Sequence, residues 1–131
     1  MTAAAALTHD QPDLLPALLR LEPAEWDALR FGVIGFDVHS HRVTVYNAEE
    51  ARQAELDPAD VMGLNVFTEL AQCMNNYLVA QRFDDARNAR TALDARLDYV
   101  LTWRMRPTPV ALRMLWQPGD DLAYLVLQRR P

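Results

Sequence analysis

Alternating apolar residues fall in two separate blocks of this chain, and a helix-period stretch lies between them. The first block is Phe31-Gly32-Val33-Ile34-Gly35-Phe36-Asp37, broken at His39-Ser40-His41 and resumed at Val43-Thr44-Val45-Tyr46, which predicts a β-hairpin. The second fills the last third. Arg96 to Arg104 and Val110 to Trp116 alternate, Pro118-Gly119-Asp120 makes a tight turn, and Leu122 to Leu127 runs on from it. Two strands, then helices, then three strands predicts an α+β domain whose helices cover one face of the sheet.

The stretches around the strands read as helical. Asp13 followed by Leu14, Leu15, Leu18, Leu19 and Leu21 has the spacing of a short amphipathic helix, with Pro16 in its first turn. Pro23 to Leu29 predicts another, with Trp26 and Leu29 on one face. Residues 1–12 read as a loose start, so residues 1–30 are expected to form an N-terminal cap on a core of residues 31–131. In the middle, Asn47 can cap a helix over Ala48 to Ala54, Asp57-Pro58 opens another helical turn, and Gly63 breaks the chain. Phe67 to Cys73 is short and apolar. Asn76 to Arg90 predicts a longer amphipathic helix, with Tyr77, Leu78, Phe83 and Ala86 set against Arg82, Asp84, Asp85 and Arg87.

Length and composition bound the function classes. A chain of 131 residues with half its residues apolar can build one hydrophobic core unaided by metal or disulfide. A net charge of −5 argues against binding nucleic acid, which calls for clustered cations. No window approaches the ~18 apolar residues that cross a bilayer, so no membrane partner is expected. The apolar start Met1-Thr2-Ala3-Ala4-Ala5-Ala6-Leu7 lacks the basic region of a secretory signal. A cytoplasmic location is the corresponding expectation.

Cys73 is the only thiol. It cannot close an internal disulfide, so it is a small buried hydrophobe, a nucleophile or an attachment point. As an enzyme nucleophile it would need an activating base, and the histidines, at 9, 39 and 41, fall in the loose start and in a turn. No enzyme activity is expected. His39 and His41 have the alternation of metal ligands on a strand, but with no further ligand nearby they read as a solvated turn.

The order of elements resembles that of PAS domains. The segments Asp27 to Gly32, Tyr46-Asn47-Ala48-Glu49-Glu50, Asp57-Pro58, Gly63-Leu64-Asn65, Cys73, Phe83, Tyr99 and Met105-Arg106-Pro107-Thr108 resemble the photoactive yellow protein family, over roughly residues 13 to 130. The resemblance implies a PAS fold, in which an antiparallel five-stranded sheet is flanked by helices. It also implies a blue-light photoreceptor carrying p-coumaric acid as a thioester on Cys73. Tyr46 and Glu50 match the family's two phenolate-binding residues. A free phenol has a pKa of about 10, so holding it ionised requires donors at its oxygen, and Glu50 donates only when protonated. Met105 matches a methionine lying over the chromophore. Phe67, Phe83 and Tyr99 are pocket or core residues. Three positions depart from the family pattern: Ala54 replaces a threonine that supports the tyrosine, Leu56 replaces a shielding arginine, and Gln72 replaces the proline before the cysteine.

By the same resemblance, photoisomerisation and proton transfer drive a conformational cycle that releases the N-terminal helices. No kinase or DNA-binding domain is recognised within these residues, so the output is expected to pass to an unknown, separate signalling protein, from a monomer or weak dimer. The alternative is a chromophore-free PAS module that binds another small ligand or mediates dimerisation, with Ala54 and Leu56 marking a drifting pocket.

Overall fold

The structure, a computed structural model, describes residues 3–102 and 106–130. Five strands form one antiparallel sheet: β1 (Gly32–Asp37), β2 (Val43–Tyr46), β3 (Leu93–Leu101), β4 (Thr108–Trp116) and β5 (Leu122–Arg129), in the order β2-β1-β5-β4-β3. This is the antiparallel five-stranded sheet with flanking helices that the resemblance implies. The α-helices α2 (Ala48–Ala54), α3 (Pro58–Val61) and α4 (Ala80–Ala89) follow the hairpin, with a π-helical turn at Val66–Leu70 and a 3-10 turn at Gln72–Met74 between the last two. A short helix, α1 (Leu14–Leu19), precedes the hairpin.

The central strands are covered on both faces, as strand parity shows. Ile34, Phe36, Leu112, Met114, Ala123, Leu125 and Leu127 face the helical layer and join Phe67, Met74, Val79 and Phe83 in the main core. Val33, Leu115, Tyr124 and Val126 face the opposite way and are covered by the N-terminal segment through Leu14, Leu15, Leu18 and Leu29. Trp26 stacks on Tyr124 with ring centroids 5.6 Å apart. Helices therefore cover one face and the N-terminal residues the other. A sheet covered on one face alone would leave Leu115, Tyr124 and Val126 in water.

A buried arginine fixes the N-terminal segment to the sheet. Arg113 on β4 is 1 % exposed and grips the Asp94 carboxylate with Nε and Nη2, each at 2.8 Å. Its remaining donors go to the backbone carbonyls of His9 at 3.1 Å, Gln11 at 2.5 Å and Pro12 at 3.4 Å. The segment called loose from its sequence is thus tied down by carbonyls, which carry no sequence signal. His9 is buried beside them, its Nε2 3.0 Å from the Val126 carbonyl, where it acts as donor.

Burial pushes the His9 imidazole below its ordinary 6.5, against the backbone bond to Val126, with Arg113, Arg96 and Asp10 as the charges around it. A histidine kept neutral by burial contributes stability that is present above its unfolded pKa and lost as pH falls toward its folded one. Asp94, held below its ordinary 3.8 by Arg113, contributes stability that is lost only at lower pH still. We expect denaturation midpoints followed by circular dichroism to fall from pH 6.5 downward, with a limiting slope of about 1.4 kcal/mol per pH unit for one proton. His9→Gln should lack the decline nearest neutrality, and an unchanged pH profile in that variant would refute the assignment.

Two local expectations are corrected. The helix expected from Asn76 starts at Ala80. Asn76 instead builds a side-chain turn, its Oδ1 accepting from the N–H groups of Leu78 at 3.0 Å and Val79 at 3.2 Å, which leaves Tyr77 77 % exposed rather than on the packed face. His41 is not a solvated turn residue. Its ring packs edge-on against Phe36 and Phe67, and its Nε2 lies 3.0 Å from Asp84 Oδ1 on α4. Among the described residues no group of potential ligands could hold a metal ion. None of the described helices is long and apolar enough to cross a membrane.

Candidate functional site

Asn47 sets the geometry of the site. It ends the hairpin and caps α2, its Oδ1 accepting from Glu50 N–H at 3.1 Å and from Val33 N–H at 2.9 Å. Its Nδ2 donates to the Trp26 and Phe31 carbonyls, both at 3.0 Å. One side chain thus fastens α2 to β1 and to the N-terminal segment. It places Tyr46 at the end of β2 and Glu50 in the first turn of α2, both turned inward and buried.

Tyr46, Glu50 and Cys73 line one cavity, whose other walls are Ile34, Leu70, Ala71, Met74, Leu101 and Leu127. Apolar walls with a few polar groups are the usual make-up of a small-molecule site. The cavity's free volume is about 20 Å³, room for about one water, so an aromatic ring enters only as lining side chains move outward. On its outer side Cys73 borders a second, wider cleft of about 620 Å³ lined by Leu56, Val61, Leu64, Gln72 and Thr102, a route by which a reagent can reach the thiol.

The backbone at Cys73 is held from two sides. Tyr99 donates its hydroxyl to the Cys73 carbonyl at 2.5 Å, and Asn76 Nδ2 donates to the same carbonyl at 3.1 Å and to the Tyr99 oxygen at 2.7 Å. Gln72, where the family pattern has proline, donates to the Thr68 carbonyl at 2.6 Å and restrains the chain by a bond instead of a ring. Tyr99 therefore touches Cys73 through its main chain. Phe67 and Phe83 sit in the core, packed around Phe36 with centroids 5.4 and 5.0 Å away, and are not among the residues lining the cavity. Met105 lies outside the described residues.

Glu50 has a charged partner on β5. Arg129 on β5 reaches it with both terminal nitrogens, Nη2 donating to Oε2 at 2.9 Å and Nη1 to Oε1. Glu50 is 3 % exposed, and the Arg129 side chain is 12 % exposed. Burial pushes the Glu50 carboxyl above the usual carboxylate range, against the pull of the guanidinium. The two-pronged contact is that of a carboxylate, since a neutral acid would turn a hydroxyl toward a group that can only donate. Gly32 makes room for this pair: a Cβ there would lie 2.1 Å from Glu50 Oε1. A signal for Arg129 exists in the sequence. It shares strand parity with Leu125 and Leu127, which places it on the helix-covered face, where an arginine requires an acid.

Known proteins resemble this chain in sequence and in fold. The chain is 33 % identical over 119 residues to the photoactive yellow protein of Rhodothalassium salexigens, covering 91 % of this chain and 94 % of that protein. It is 30 % identical over 117 residues to that of Halochromatium salexigens, covering 89 % and 92 %. Among solved structures it resembles the photoactive yellow protein domain of the sensor histidine kinase Ppr from Rhodospirillum centenum, with a TM-score of 0.75, 35 % identity, and 82 % of this chain and 93 % of that one covered. A PAS domain of an HTR-like protein from Haloarcula marismortui shares the fold at 13 % identity, with a TM-score of 0.59 and 90 % and 99 % of the two chains covered. No protein-family model matches the chain.

Proposed function

Because the chain belongs to the photoactive yellow protein family of PAS photoreceptors, we propose that it carries p-coumaric acid as a thioester on Cys73 and signals blue light through it. The observation that supports this reading is that the sole thiol lines the same cavity as Tyr46 and Glu50. The residues fit the group in chemistry: a thiol to acylate, apolar walls for a ring, and two oxygen-bearing side chains for a phenol. Bound there, p-coumaric acid supplies blue-light absorption, an isomerisable double bond and a titratable oxygen.

Each residue then has a defined task. The Cys73 thiolate attacks the acyl carbon of an activated ester, forming the new C–S bond as the ester's leaving group departs with the electron pair of the broken bond. Tyr99 and Asn76 hold the Cys73 carbonyl and so fix the direction of the side chain. Tyr46 donates its hydroxyl to a phenol oxygen. Glu50 donates in its protonated form, which burial favours. Leu56 and Leu70 border the outer cleft beside Cys73 and shield the site from water without adding charge. Met105 is assigned the role of its family counterpart. The lit state is read by a separate signalling protein in the cytoplasm, and no enzymatic step is assigned to Cys73.

Incubating the purified protein with an activated p-coumaroyl ester should give a visible absorption band that bleaches under a blue flash and returns in the dark, with a matching mass increase. Cys73→Ala should give neither band nor mass increase. A wild-type protein that stays colourless and unmodified would overturn the reading and favour a PAS module for another small ligand.

A further inference from the structure

Glu50, which lines the cavity, is held by a cation that does not itself line it. Leu56 occupies the position of the shielding arginine and borders the outer cleft, adding no charge. Arg129 comes from β5 and grips Glu50 with two nitrogens. Among the described residues, the charged and titratable groups around the Glu50 carboxyl are Arg129 from β5, Glu49 from its own helix, and Tyr46 and Cys73 in the shared lining. Of these only Arg129 is a cation.

We propose that Arg129 is the counter-ion of this cavity, holding Glu50 ionised when no phenol occupies the site and pairing with it again whenever Glu50 gives up its proton. The first half concerns the protein before acylation. The second rests on the photoreceptor reading. An ionised carboxylate buried without a partner is strongly disfavoured and forces its surroundings to rearrange. With a guanidinium in bidentate reach, proton loss from Glu50 creates an ion pair in place of a bare charge. Arg129 is therefore a positioning residue that sets how strongly deprotonation of Glu50 disturbs the fold.

The test is the titration of Glu50 in protein never exposed to an acyl ester, read by NMR of ¹³C-labelled glutamate carboxyls and assigned with Glu50→Gln. The expected wild-type result is an ionised Glu50 at pH 7. Arg129→Gln should raise its midpoint by at least one pH unit, a tenfold gain in proton affinity, and Arg129→Lys should restore part of that shift. A neutral Glu50 at pH 7 in the wild type, or an unmoved midpoint in Arg129→Gln, would overturn the proposal. If Arg129→Gln does not fold, the wild-type titration and Arg129→Lys still decide it. Failure of the photoreceptor reading shows separately, as absence of a visible band after acylation, and leaves this titration unaffected.

Discussion

Replacing Arg113 with alanine is expected to free the N-terminal segment from the sheet while the rest of the fold stays intact. The substitution removes five hydrogen bonds at once, two to Asp94 and three to the carbonyls of His9, Gln11 and Pro12. Left in place, the buried His9 carbonyl would lose its donor at about 1–3 kcal/mol before relaxation, and the partly exposed carbonyls of Gln11 and Pro12 would lose less. Detachment lets water satisfy them, so the loss saturates at the docking free energy of the segment. What still holds the segment is the burial of Leu14, Leu15, Leu18 and Leu29, each about 1.5–3 kcal/mol, against the entropy of ordering the chain. A net weakening of about 3 kcal/mol raises the open population by about a hundredfold. Cleavage by chymotrypsin or thermolysin before Phe31 should accelerate by that order in Arg113→Ala, with near-native circular dichroism beyond it. Arg113→Lys keeps the charge but not the fork, and should fall between the two. Equal cleavage rates in wild type and Arg113→Ala would show that the apolar contacts alone hold the segment.

The same arginine marks the boundary of what the sequence makes legible. Periodicity located the hairpin and the last three strands, because alternation against a packed face is a local property of the chain. Asn47 was readable as a cap because capping is also local. The coverage of both sheet faces was not, since it depends on where residues 4–29 return in space. The backbone carbonyls that hold Arg113 are the same at every position. Helix α4 was placed too early because Tyr77 and Leu78 fit an apolar period, while the side chain of Asn76 offered the backbone a competing turn. His41 was given to solvent from its polar neighbours, but its place is decided by Phe36, Phe67 and Asp84. At the site, the resemblance supplied Tyr46, Glu50 and Cys73, which the structure brings into one cavity. It supplied Phe67 and Phe83 as well, and these lie in the core behind it. Arg129 was missed although its parity with Leu127 pointed inward, because an arginine near the chain end reads as surface until its acid is known.

The largest effect expected at a single polar side chain outside the charged groups is at Asn47, and its two atoms make the effect separable. Oδ1 serves α2 and β1, and Nδ2 serves the N-terminal segment and the Phe31 carbonyl. Asn47→Ala removes all four bonds at a residue 1 % exposed, for an expected loss of about 2–4 kcal/mol from the missing cap and the stranded backbone groups. Asn47→Asp keeps the acceptor for Glu50 and Val33 but loses both donors and faces two carbonyls with a carboxylate. Chemical denaturation should therefore find both variants weaker than wild type, by different routes. Asn47→Ala should loosen α2 and with it the pairing of Glu50 and Arg129, visible as faster amide exchange at Glu50. Asn47→Asp should leave that amide protected and speed protease cleavage near Trp26 instead. If amide exchange at Glu50 were equally fast in both, the two halves of Asn47 would not act separately, and the order of α2 would depend on the N-terminal segment being docked.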